Sequence, residues 1–68
     1  MIVNNVSTLI GKNKSTVAEI TRLADLKYNT VHDLYMDKTA GLKFDTLNKL
    51  CFALNCKPKY LFDYIPGN

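Results

Sequence analysis

Residues 16–36, TVAEITRLADLKYNTVHDLYM, decide how this 68-residue chain folds. Val17, Ile20 and Ala24 recur at the three- and four-residue spacing of one helix face, and Val31, Leu34 and Tyr35 supply the inward side of a second helix. Only Asp25-Leu26-Lys27 separates the two runs, room for a sharp corner and nothing else. Each helix is shorter than the ~12–15 residues at which an isolated helix becomes marginal in water, so both must be held by packing against the rest of the chain. Thr16 opens the first helix and forms a capping-box pattern with Glu19, each side chain able to satisfy an orphan backbone donor of the other. Asp25 falls at the corner, where a left-handed backbone is expected; after glycine, Asp and Asn tolerate it best. Leu26 is expected to plug inward. The second helix runs from Tyr28 to about Met36 and starts at Lys27, where Ser, Thr, Asp or Asn would cap better.

Working outward, Ile2, Val6, Leu9 and Ile10 also repeat at helical spacing. They predict a helix from about Ile2 to Gly11 or Lys12, ended by Gly11 and the polar run Lys12-Asn13-Lys14-Ser15. Asp37 to Lys43 reads as a loop of turn formers and charges. Phe44 to Asn55 carries the strongest helical pattern, with Leu47, Leu50, Cys51 and Leu54 on one stripe and Asn55 a fair cap. Pro58 suits the first turn of a last short helix reaching about Tyr64, and Pro66-Gly67-Asn68 reads as coil. No strand-like alternation of useful length, repeat or low-complexity tract is visible. The expected fold is all-α: one domain, residues 1–68, a compact bundle of five short helices.

Composition narrows the function classes. A chain of this size buries only about 60% of its unfolded surface, so it must be well patterned to fold. Net charge is +3, a modest bias toward polyanions. Cys51 and Cys56 are the only cysteines; five residues apart in a helical stretch, their thiols are expected to point in different directions and stay reduced. No stretch approaches the ~18 apolar residues of a membrane span. The start, MIVNNVSTLI, lacks the basic residues of a secretory signal, which favours a cytoplasmic protein. His32 is the single histidine and no nucleophile–base–orienter set can be named, so catalysis is not expected. Two cysteines and one histidine on different helices also fall short of a zinc site, and no cofactor is indicated.

Two short helices across a tight turn are the layout of a helix-turn-helix, whose second helix enters the DNA major groove. With Val31, Leu34 and Tyr35 inward, the outward face offers Tyr28, Asn29, His32, Asp33 and Met36, with Thr30 in the first turn. Asn can pair with adenine and a carboxylate can accept from cytosine, although a merely solvated helix face is equally polar. The lysines shift that balance. Lys27 and Lys43 stand where two helices begin, where a cation opposes the helix dipole. The choice makes sense if a phosphate meets the free amides and the lysine together.

The sequence resembles the Cro/CI-type (XRE family) helix-turn-helix of phage repressors and bacterial regulators, over about Ile2 to Ile65. IVNNVSTLIGKNK, residues 2–14, leads into the motif, TVAEITRLADL supplies its first helix and turn, and KYNTVHDLY the recognition helix. FDTLNKLCFALNCKPKYLFDYIP closes the bundle and is the most specific segment. The resemblance implies a lambda-repressor-like fold and a regulator, a repressor, that binds double-stranded DNA. By position it implies base contacts from Tyr28, Asn29, His32 and Asp33, and phosphate contacts from Thr16, Lys27, Thr30, Lys38 and Lys43. The chain departs from the motif in three places: Asp25 for the usual Gly at the turn, Thr21 for the usual Ala, and Val17 where many members place a phosphate-holding Gln. Phe52, Tyr60, Phe62, Tyr64 and Ile65 supply more apolar surface than one small core needs, which fits either closure of the core or a homodimer patch. The alternative reading is a protein-binding adaptor or antitoxin-like partner on the same fold, with those aromatics as the working face.

Overall fold

The computed structural model describes residues 1–67; of the expected C-terminal coil, Asn68 lies outside the described residues. In chain order the elements are β1 (Ile2–Asn4), α1 (Val6–Lys12), α2 (Val17–Ala24), α3 (Tyr28–Tyr35), α4 (Phe44–Leu54), α5 (Pro58–Leu61) and β2 (Phe62–Tyr64). The chain is thus mostly helical, but the all-α expectation needs correcting, because β1 and β2 pair antiparallel. Val6, Ile10, Ile20, Val31, Leu34, Leu50, Leu54 and Leu61 come from all five helices and form one buried core. Leu26, Leu47, Cys51 and Cys56 pack against it from the edge. The α2 helix packs on both α3 and α4, and α1 backs α3.

The sheet replaces both ends of the expected helical arrangement. Ile2 sits four residues before Val6 and imitates a helical repeat, yet it is 64% exposed and belongs to β1. Asn5 alone separates the two elements, directly after Asn4, the last residue of β1. The Asn4 Oδ1 accepts from the Val6 N–H at 2.9 Å, so the start of α1 is capped from two residues back. At the other end α5 stops at Leu61, not Tyr64, and the chain extends from Phe62 to pair Ile2 with Tyr64 and Asn4 with Phe62. The Asn5 N–H donates to the Leu61 carbonyl at 2.8 Å and locks the crossing point.

Four helices end in one and the same way. The α1, α2, α3 and α4 helices each close on a left-handed residue, Lys14, Asp25, Asp37 and Asn55, with φ of 53°, 55°, 59° and 51°. In each case the next residue's N–H reaches back five positions: Ser15 to Ile10, Leu26 to Thr21, Lys38 to Asp33 and Cys56 to Cys51, at 2.8–3.1 Å. These are Schellman closures, which normally use glycine. None of the described glycines has positive φ. Gly11 therefore does not end the first helix as expected; it lies inside α1, and Lys14 makes the reversal.

Lys14 occupies a conformation that costs a side-chain-bearing residue about 1–2 kcal/mol. Gly11 in turn weakens a helix by about 0.5–1 kcal/mol relative to alanine. A Cβ at Gly11 meets nothing within 4 Å. Lys14→Gly and Gly11→Ala together are expected to raise the thermal midpoint by about 5–10 °C. A fall on Gly11→Ala, followed by circular dichroism, would contradict the open surface at that position.

Thr21 shows the cost of departing from the motif's usual alanine. Its Oγ1 is buried with no hydrogen-bond partner. Thr21→Val keeps the shape and removes the desolvated hydroxyl, so it is expected to stabilise by about 1 kcal/mol. Urea unfolding should show a higher midpoint at unchanged slope. An unmoved midpoint would mean that the hydroxyl finds a partner.

Candidate nucleic-acid interface

The Thr16 hydroxyl starts the reading pair by accepting from the Glu19 N–H at 3.1 Å, the principal bond of the expected capping box. After eight helical residues α2 ends on Asp25, held at φ 55°, ψ 49°. The reversal swings Leu26 onto the core and sends α3 off across α2. Asp25 therefore does the work of the motif's usual glycine.

Val31 and Leu34 fix which side of α3 faces in. Asn29, Asp33 and Met36 then stand exposed on the opposite side, and Tyr28 is exposed beside them. Tyr35 departs from expectation: the helical spacing puts it inward, but it is 41% exposed. Its position lies to one side of the Val31–Leu34 stripe, and so large a ring stays at the margin of the core.

The expected contact residues gather into two groups on either flank of α3. Thr30, Asp33 and Lys43 line a groove of about 330 Å³ between α3 and the start of α4, together with Thr39 and Thr46. Thr16, Tyr28 and His32 line a second groove of about 330 Å³ toward α1. There the Tyr28 and His32 rings stack, 5.6 Å between centroids and 20° between planes. The i,i+4 spacing makes that pairing, and it orders two of the expected base readers. Asn29 is exposed and lines neither groove. Sequence reasoning missed Thr39 and Thr46, although Thr46 follows Lys43 by one helical turn.

The cations sit in three different situations. Lys27 and Lys43 precede α3 and α4 in extended conformation, and neither helix start receives a side-chain cap. The first two amides of α3, before the Thr30 N–H that bonds the Lys27 carbonyl at 3.1 Å, and the first three of α4 are thus free to meet an anion beside a lysine. Lys38 lies past the end of α3, its N–H bonded to the Asp33 carbonyl at 2.8 Å, so it has only its side chain to offer a phosphate. It also brings a positive charge close to the Asp33 end of the helix. Thr16 is already committed: its hydroxyl lies 3.3 Å from Glu19 Oε1 as well as capping α2, so a carboxylate stands beside it. In the first turn of α4, Asp45 is drawn toward Lys49 at 3.4 Å.

Behind the reading face, Asn4 ties α3 to the sheet. Its Nδ2 donates to the Leu34 carbonyl at 2.7 Å and lies 3.4 Å from Asp37 Oδ1. Nothing in its sequence neighbourhood announces this role, since the partners lie 30 and more residues away.

The C-terminal aromatics divide. Phe52 is 77% exposed, and Tyr60, Tyr64 and Ile65 are exposed too, whereas Phe62 packs against the core. Cys51 and Cys56 are both free thiols. The expectation that they point apart is wrong, because the left-handed Asn55 turns Cys56 back over Cys51. Burial first, and then the neighbouring Cys51, push the Cys56 thiol above its ordinary value. No helix among the described residues is long and apolar enough to cross a membrane.

Comparison with known proteins agrees with this geometry. The sequence profile of the Cro/C1-type HTH DNA-binding domain matches residues 5–67. The chain is also similar to an uncharacterized HTH-type transcriptional regulator of Bacillus subtilis (strain 168), YozG, at 25% identity over 63 residues, covering 93% of this chain and 75% of that protein. The matched span runs from the residue before α1 to the last described residue and includes α2, the Asp25 turn and α3. The chain belongs to the Cro/C1-type helix-turn-helix DNA-binding family.

Proposed function

We propose that this chain is a sequence-specific transcriptional regulator, acting as a repressor, that reads the DNA major groove with the outward face of α3. The observation that carries the reading is the exposed Asn29–Asp33 face of α3, flanked by two helix starts that have a lysine in place of a cap. In this reading Tyr28, Asn29, His32 and Asp33 touch base edges. Lys27, Lys38 and Lys43 meet phosphates, with Thr30 at the rim of the groove. Thr16 contributes through the amides of α2, whose first turn its hydroxyl helps to order, more than through a free hydroxyl. Phosphate contacts supply affinity and register, and base contacts supply the sequence preference. DNA as the target implies a cytoplasmic site of action.

One module covers little DNA, and two copies on half-sites about 34 Å apart would gain specificity. Exposed Phe52, Tyr60, Tyr64 and Ile65 support a homodimer, while Phe62 is better assigned to the core. The same exposed aromatics would serve a protein-binding adaptor, the second reading. Binding to random duplex across a salt series separates the two: a linear fall of log affinity with log salt supports the regulator, and no binding at low salt supports the adaptor.

The operator follows from selecting bound fragments out of genomic DNA. Asn29→Ala is then expected to cost about 1–3 kcal/mol on the selected site and to relax preference at one base pair, if Asn29 holds an adenine by two hydrogen bonds. A variant with the wild-type preference at every position would remove Asn29 from the base-reading set.

A further inference from the structure

We propose that Cys51 and Cys56 form a modification site, a dithiol that small-molecule disulfides oxidise to an intrachain disulfide across the end of α4. The closure of that helix builds the site. Asn55 takes the left-handed conformation at φ 51°, ψ 52°, and the Cys56 N–H returns to the Cys51 carbonyl at 3.0 Å. A hydrogen bond that short between adjoining backbone groups keeps the two α-carbons less than about 7 Å apart, at or inside the ~4.4–6.8 Å range of disulfides. In the Schellman closure these two positions are the pair whose side chains normally meet. Here both are thiols, both free and both only half-buried, so a small reagent reaches them. The other three closures pair Ile10 with Ser15, Thr21 with Leu26 and Asp33 with Lys38, so the chemistry is confined to α4.

The reaction balances without a metal. One cysteine thiolate attacks a sulfur of the external disulfide and expels one small thiolate, leaving a mixed disulfide. The second cysteine, losing its proton to solvent, attacks the protein sulfur of that intermediate. The Cys51–Cys56 bond forms and the second small thiolate leaves. The external disulfide is reduced to two thiols, and the protein loses two hydrogens. The product is a short staple over the left-handed Asn55, which restricts the unfolded chain and holds the end of α4 against the core. Lys43 lies at the opposite end of α4, so oxidation leaves DNA affinity unchanged. The inference rests on the fold alone, and a failure of the DNA reading would not touch it.

The test is to incubate the folded protein with oxidised glutathione in native buffer and measure intact mass, oligomeric state and thermal midpoint. The expected product is a chain lighter by about 2 Da, not disulfide-linked to a second copy, with no titratable thiol, and with a midpoint higher by about 5–10 °C. Cys51→Ser and Cys56→Ser should each instead retain one glutathione adduct, because no partner expels it. Wild-type protein carrying two adducts, disulfide-linked dimers, unreacted thiols, or a midpoint that does not rise would each overturn the proposal.

Discussion

Replacing Lys27, Lys38 and Lys43 together by glutamine is expected to weaken binding to every duplex sequence by about 10²–10³-fold near 0.1 M salt. The slope of log affinity against log salt should fall in magnitude by about 3, since each neutralised phosphate contributes roughly 0.9. The reasoning is local. Lys27 and Lys43 stand at helix starts that no side chain caps, where a cation is unfavourable unless an anion joins it. Glutamine at these exposed positions should leave folding unchanged. Lys59→Gln is the control, because Lys59 lies inside α5, which packs on α4 and β2 away from the reading pair. If the control costs as much per lysine as the triple variant, net charge and not position drives binding. If the triple variant loses affinity for the selected operator but not for random duplex, these lysines do not serve phosphates.

How far the sequence led depended on the length over which each signal was spread. The α2–α3 pair was legible because Val17, Ile20 and Ala24 repeat over a full helix, Thr16 and Glu19 mark its start, and Asp25 is a residue that tolerates its turn. The sheet was not legible. Three residues contain a single alternation, and β1 is stable only because β2 returns from some sixty residues away. Ile2 reinforced the error by falling in register with Val6. The left-handed Lys14 gave no warning either, since lysine has no preference for that conformation. The Cys51–Cys56 approach was missed for a related reason: an unbroken helix would send the two side chains apart, and a single residue, Asn55, reverses the chain between them. In the candidate site, the exposed face of α3 follows from its buried stripe, whereas the sequence suggests two roles, cap and phosphate contact, for the one hydroxyl of Thr16. The cap takes that hydroxyl, and the adjacent Glu19 carboxylate makes a phosphate there less welcome.

Asn4→Ala is expected to destabilise the protein by about 2–3 kcal/mol, although the residue lies in a three-residue strand outside the helix-turn-helix. Asn4 satisfies groups on both sides of it: the Val6 N–H at the start of α1 and the Leu34 carbonyl in the last turn of α3. Alanine leaves the Val6 amide without its cap and cuts the link from β1 to α3, at about 1 kcal/mol or more for each part-buried bond lost. The Leu34 carbonyl keeps the Asp37 N–H at 3.1 Å, which limits the loss on that side. For a domain of this size the thermal midpoint should drop by about 10–20 °C. Asn4→Asp separates the two halves of the role. It keeps an acceptor for Val6 but turns a carboxylate toward the Leu34 carbonyl and toward Asp37, whose Oδ1 lies 3.4 Å from the native amide nitrogen. The introduced carboxyl should therefore titrate higher in the folded than in the unfolded chain, and the variant should gain stability as pH falls and that carboxyl regains a donor proton. Urea midpoints of the two variants across an acid-to-neutral series would show it: the gap to wild type should narrow at low pH for Asn4→Asp and stay constant for Asn4→Ala. A parallel pH response in both would mean that the Leu34 and Asp37 contacts do not hold α3, and that the end of the reading helix is positioned by the buried Val31–Leu34 stripe alone.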